Sequence, residues 1–283
     1  MSDAWDMMWD MFWRQVLSAM VVGAGCAALG IFVILRRVVF VGIALAQGAA
    51  LGVALALAVG IAPFWGAAAL SLLIVALLAS HKLSRRFGRD ALLGVLFVAA
   101  SASAPLIVAH SAFHLHDVTK IFYGDLTLMG RGEALAVVGV GSAALLFVSL
   151  CLRALVVVGV DRDFARSCGV RVFVWDGLYF LALAVVVAVA ARSVGSVLVF
   201  AYLIVAPLIG LTAARTLKTA ILLASLAAAT ATLLGFWLAI FADLTANLLI
   251  SVLLIAVLVL VVPTRILVRR LRKSRSVSCF PHP

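Results

Sequence analysis

Charge is scarce in this chain, and polar stretches are short. Of its 283 residues 12% are charged and 66% are hydrophobic, where soluble domains hold about 45–50% apolar residues. Mean hydropathy is +1.29, and no soluble domain fits between the apolar runs. A GxxxxGK[ST] phosphate loop is also missing, so the chain does not itself hydrolyse nucleotide. The span centres lack acidic and basic residues in series, which a proton-coupled carrier or pump would need. The four cysteines, Cys26, Cys151, Cys168 and Cys279, show no CxxC spacing; neither a disulfide framework nor a zinc knuckle is indicated, and they read as reduced and structural. The first dozen residues lack the basic region of a cleaved signal peptide. With Asp3, Asp6 and Asp10 beside Trp5, Trp9 and Trp13, residues 1–14 read instead as an interfacial lead-in.

What is present is a series of apolar runs near the ~20 residues a helix needs to cross a bilayer. They fall at 15–35, 40–60, 63–80, 91–110, 132–152, 177–192, 196–214, 219–241 and 246–263. The expected fold class is therefore an all-α integral membrane protein of about nine transmembrane helices, because an isolated run satisfies its backbone in lipid only as a helix. Eight spans result if the first run or the short 177–192 run does not cross. The transmembrane domain covers 15–263, and a basic cytoplasmic tail covers 264–283. With the C-terminus inside, 18 of the 22 Lys and Arg residues fall in cytoplasmic loops, as the positive-inside rule requires. Only Arg14, Lys120, Arg131 and Arg192 fall outside. The net charge of +11 thus reads as a topology signal, with no nucleic-acid partner implied. No inverted repeat recommends a secondary-transporter fold. Pro63 stands at a span entrance, while Pro105 and Pro207 lie inside apolar runs, where they free backbone carbonyls.

One connector breaks the apolar pattern, running from Val160 to Arg171 through Asp161, Arg162, Asp163, Phe164, Ala165, Arg166, Ser167, Cys168, Gly169 and Val170. Asp161 and Asp163 sit where carboxylates offset the dipole at the start of a short helix, and Gly169 suits its end. Two readings stand: a self-capped solvated loop, or a docking surface for a soluble partner. The outer loop holds His110, His114, His116 and Asp117. Imidazole and carboxylate together suit zinc, and His110 and His114 share a helical face at i, i+4; an ordinary polar connection is the alternative.

Asp163 through Val170 resembles the acidic-x-Phe-Ala-x-x-x-Gly-Ile/Val connector in membrane permeases of the ATP-binding-cassette importers for zinc, manganese and iron. Val33 through Gly42, with its Arg36-Arg37 pair, is similar to that family's first-span end and turn. Phe122-Tyr123-Gly124-Asp125-Leu126 resembles its Phe-Gly-Asp loop. Val194 through Val199, followed by Leu203 to Pro207, resembles its Val-Gly-x-Leu-Leu-Val to Leu-Ile-x-Pro segment, and Asp243-Leu244-Thr245 its Asp-Leu-Pro turn. The motifs occur in order over about residues 12–263.

The resemblance implies a multi-pass permease of the bacterial inner membrane, homodimeric or paired. It implies two cytoplasmic ATP-binding-cassette ATPases as partners and an extracytoplasmic metal-binding protein as feeder. No permanently bound cofactor is expected; a divalent metal is the cargo, zinc first, manganese or iron next. The connector would be the coupling helix that seats in the ATPase, a role carried over to Asp163, Phe164, Ala165 and Gly169, with Asp161 and Arg166 beside them. The family's Asp-Ala-Leu-Ser-His pattern in the second span is replaced by Ile43, Ala44, Leu45, Ala46 and Gln47. Both strong ligand types are gone, and Gln47 offers an amide oxygen. Gln47, Tyr202 and Pro207 are the candidates for the substrate path. Two competing functions remain: a permease for a metal chelate or other small solute, and an ATP-independent channel or membrane scaffold.

Overall fold

The computed structural model describes residues 2–79, 89–110, 126, 129–242 and 244–277. Among them the chain forms ten α-helices and no strand. They are α1 (Ser2–Leu35), α2 (Val39–Val59), α3 (Pro63–Ala79), α4 (Arg89–His110), α5 (Arg131–Val160), α6 (Arg162–Ser167), α7 (Val172–Ser193), α8 (Ser196–Ala213), α9 (Leu217–Ala242) and α10 (Ala246–Val277). Seven of the helices are long and apolar enough to cross a membrane, and two shorter apolar segments, Pro63–Leu78 and Ala91–Ile107, lie in α3 and α4. α3 starts on Pro63, whose missing N–H costs nothing at a first helical position.

Several helix ends depart from the expected boundaries, α1 among them, which starts at Ser2 within the expected lead-in. α5 overruns residue 152 and reaches Val160. Arg153 does not stop it, because its side chain is exposed and a long stem can carry the charge away from apolar surroundings. α7 starts five residues before the expected 177, at Val172, because Asp176 is neutralised by an arginine from another helix. At the C-terminal end α10 continues through Pro263 and the basic segment to Val277.

α1 is the hub. It packs on α5, α8 and α9; α2 packs between α3 and α4; α7 bridges α3 and α5; α10 closes on α8 and α9. In lipid no hydrophobic gain drives helices together, so close approach through small residues supplies the packing. A Cβ placed on Gly25 of α1 would come within 2.7 Å of the Gly141 carbonyl of α5. At the α2–α3 crossing, Gly52 and Gly66 meet back to back, each Cβ position lying 2.1–2.2 Å from the other's carbonyl oxygen. Large apolar side chains such as Leu135, Leu150 and Val259 are exposed, which suits a lipid solvent.

Candidate functional site

The connector folds as a short helix fixed at both ends by its own residues. Asp161 is extended (φ −142°, ψ 109°) and ends α5. Its Oδ1 accepts the backbone N–H groups of Asp163 at 2.9 Å and Phe164 at 3.1 Å, which satisfies donors that a helix start leaves open. At the other end Gly169 takes φ +76°, and the N–H groups of Gly169 and Val170 return to the carbonyls of Arg166 and Ala165, each at 3.0 Å. This is the paired bonding of a glycine-terminated helix.

Only one side of α6 is held. Ala165 is fully buried and packs on Val158 of α5 and Val172 of α7, so the helix rests across the ends of two spans. Phe164 is 58% exposed. Around it Asp163 and Arg166 form an exposed ion pair at 3.1 Å. An aromatic ring standing in a charged rim on a rigidly seated turn can be buried by a partner at little ordering cost. The structure therefore gathers Asp161, Asp163, Phe164, Ala165, Arg166 and Gly169 on one element.

Beside it lies a feature that reading the chain only for topology misses. The Arg36-Arg37 turn, between α1 and α2, faces the end of α5 across a cavity of about 440 Å³ lined by Leu35, Arg36, Arg37, Gly159, Val160 and Asp161. The arginine turn and the connector thus share one side of the membrane. Arg37 adopts φ +56°, a left-handed backbone uncommon outside glycine. Arg36 turns inward: its side chain is 1% exposed, and Nη1 pairs with Oδ1 of Asp176 on α7. The guanidinium carbon sits 4.2 Å from the centroid of the Tyr179 ring, within cation–π range. The Tyr179 hydroxyl donates to the Leu29 carbonyl of α1 at 3.0 Å. An acidic residue opening an apolar run, on the same side as an arginine turn, was the available signal.

On α2, the Gln47 amide oxygen is buried and has no hydrogen-bond partner among the described residues. Gln47 falls on the stripe shared with Leu51 and Ala54 at i, i+4, i+7, and those two pack against Ala104 and Ile107 of α4. Ile43 is partly buried one turn earlier. Tyr202 is fully buried, between α1 and α9. Its ring covers Gly23, with ring carbons 3.0–3.2 Å from where a Cβ would stand. Its hydroxyl lies 2.5 Å from Thr232 Oγ1; Thr232 itself donates to the Ala228 carbonyl, so Tyr202 is the donor. Pro207 lacks the N–H that would bond the Leu203 carbonyl. Gly30 of α1 fits against that carbonyl, its Cβ position only 2.2 Å from the oxygen.

His110 is the last residue of α4, while His114, His116 and Asp117 lie outside the described residues, as do Phe122 to Asp125. Among the described residues no group of three or more His, Cys, Asp or Glu is gathered as a metal site. At the end of the bundle opposite the arginine turn, Glu133 of α5 accepts from Ser193 Oγ at 3.0 Å and pairs with Arg192 Nε of α7 at 3.4 Å. α5 and α7 are thus joined there as well as under α6.

The sequence profile of the ABC 3 transport family matches residues 8–265. The manganese import system permease protein ScaB of Streptococcus pneumoniae is 31% identical over 225 residues, which are 80% of this chain and 80% of that protein. The high-affinity zinc uptake system membrane protein ZnuB of Haemophilus influenzae is 22% identical over 199 residues, covering 70% of this chain and 76% of its own. Among solved structures, PsaBC from Streptococcus pneumoniae in complex with Fab superimposes with a TM-score of 0.82 at 25% identity, covering 92% of this chain and 95% of that one.

Proposed function

This chain belongs to the ABC 3 transport family, and on that premise we propose that it is the membrane-spanning permease of an ATP-driven manganese importer of the bacterial inner membrane. It is not an enzyme; ATP is hydrolysed by a separate subunit. The observation that carries the reading is α6: a self-capped turn seated on two spans with Phe164 exposed in a charged rim, in a chain of this family. Asp161, Asp163, Phe164, Arg166 and Gly169 form the surface that an ATPase seats on, and the buried Ala165 holds that surface to α5 and α7. Its closure pushes α6, and the spans above tilt so that a central path opens alternately to the two sides. A second copy of the chain completes that path, an extracytoplasmic binding protein delivers the metal, and the C-terminus is cytoplasmic.

Zinc came first in the expectation from sequence. Manganese takes its place here, because the manganese permease shares 31% of its sequence with this chain and the zinc protein 22%. A second reading has its own support: Ile43 and Gln47 stand where a carboxylate and an imidazole would hold a bare ion, and the buried Gln47 oxygen has no partner among the described residues. A chelated metal needs no such ligands.

The test is uptake by the reconstituted complex of permease, ATPase and binding protein, with manganese, zinc and iron supplied in turn. Manganese uptake above the others is expected. Gln47→Ala and His114→Ala are read in the same assay: unchanged uptake in both removes them as contacts. No uptake of any free metal moves the assignment to a chelate. Failure of the tagged chain to bring an ATPase through mild detergent would leave a channel or scaffold.

A further inference from the structure

Movement of α6 has to reach α2 if the connector is to control the path; α6 packs on α5 and α7, and the Asp161 cap and the α1–α2 turn line one cavity of about 440 Å³. We propose that Arg36 is the positioning residue that ties the connector's two flanking spans to α1 and α2. This rests on the permease reading above.

Arg36 touches both flanks. On one side its Nε and Cγ lie 3.7 and 3.8 Å from where a Cβ on Gly159 would stand, two residues before the Asp161 cap, so its stem runs along the end of α5. On the other side it pairs with Asp176 and stacks on Tyr179, both on α7, four and seven residues after α7 begins at Val172. The pair is withdrawn from water: the Arg36 side chain is 1% exposed and that of Asp176 19%, against 68% and 91% for Arg166 and Asp163 on the connector surface. Buried charges attract in a lower dielectric and are tied more firmly than exposed ones. Three residues beyond Arg36 the chain enters α2 at Val39. A displacement of α5 and α7 under α6 therefore pulls on a charge fixed at the root of α2, while the cavity leaves room for the connector to travel.

The single variants Arg36→Gln and Asp176→Asn each break the ion pair from one side, and such loss can unfold a protein. The decisive variant is the double replacement Arg36→Met with Asp176→Leu, since apolar side chains of similar volume commonly replace a buried pair without loss of stability. In proteoliposomes holding permease, ATPase and binding protein, manganese taken up per ATP hydrolysed is expected to fall roughly 2- to 30-fold in the double variant. The complex should still assemble and ATP hydrolysis should persist. A second readout does not depend on the cargo: spin labels at exposed Val59 on α2 and Leu135 on α5 report their separation before and after the ATPase is trapped with vanadate. The separation is expected to change in the unsubstituted protein and to stay fixed in the double variant. An assembled double variant that keeps the original uptake per ATP and the original distance change overturns the role of Arg36 and leaves the permease reading standing. A chain that recruits no ATPase overturns both.

Discussion

Gly30 and Gly169 are glycines for opposite reasons. Gly169 has open space around its missing side chain but a backbone at φ +76°, so what forbids a side chain there is conformation, at a cost of about 1–2 kcal/mol. Gly30 sits on ordinary helical backbone, and a Cβ would strike the Leu203 carbonyl at 2.2 Å, a main-chain atom with no freedom to turn aside. Gly30→Ala is expected to force α1 off α8 and destabilise the protein by about 1–3 kcal/mol, as overpacking does; a lower Tm of the purified chain in detergent checks it. Sequence alone assigns Asp161 and Gly169 correctly as the ends of one helix, because caps act within a few residues. It gives no hint of Gly30, whose partner is 173 positions away. Arg36 is hidden for a related reason: a positive residue in a short loop already has a sufficient explanation, and its partner Asp176 is far off in the chain.

At the scale of the element, α6 separates what holds it from what it offers. Ala165 points into the groove between α5 and α7, and Phe164 points away. Phe164→Ala should leave folding intact and weaken ATPase binding by about 2 kcal/mol if the ring is a central anchor, read as the concentration of ATPase needed to saturate the purified permease. Ala165→Glu should act differently: a carboxylate forced into that groove unseats the whole turn, so that ATPase binding is lost while the spans remain assembled, visible as an unchanged elution volume. The apolar runs read from the sequence each fall on a helix, and seven of those helices are long and apolar enough to cross a membrane. The ends of α5 and α7 are not legible, because Arg153 and Asp176 look like boundaries and are instead carried within helices, one by its exposure and the other by its buried partner.

Over the whole molecule, α5, α8 and α9 gather on α1, α3 and α4 gather on α2, and α7 carries polar fixtures at both its ends. Arg36, Asp176 and Tyr179 join α1 to α7 at one end, and Glu133, Ser193 and Arg192 join α5 to α7 at the other. The fold class was legible because lipid permits so few alternatives to a helix. The cargo was not, since α2 carries no carboxylate or imidazole that would name a metal.

The crossing of α2 and α3 carries a consequence for motion. Gly52 and Gly66 meet there main chain to main chain, with no side chain between them that could change rotamer and let one helix shear along the other. α2 and α3 are therefore expected to travel as one stiff unit, whatever the rest of the bundle does. Spin labels at exposed Leu55 and Leu72 should keep their separation when the ATPase is trapped with vanadate.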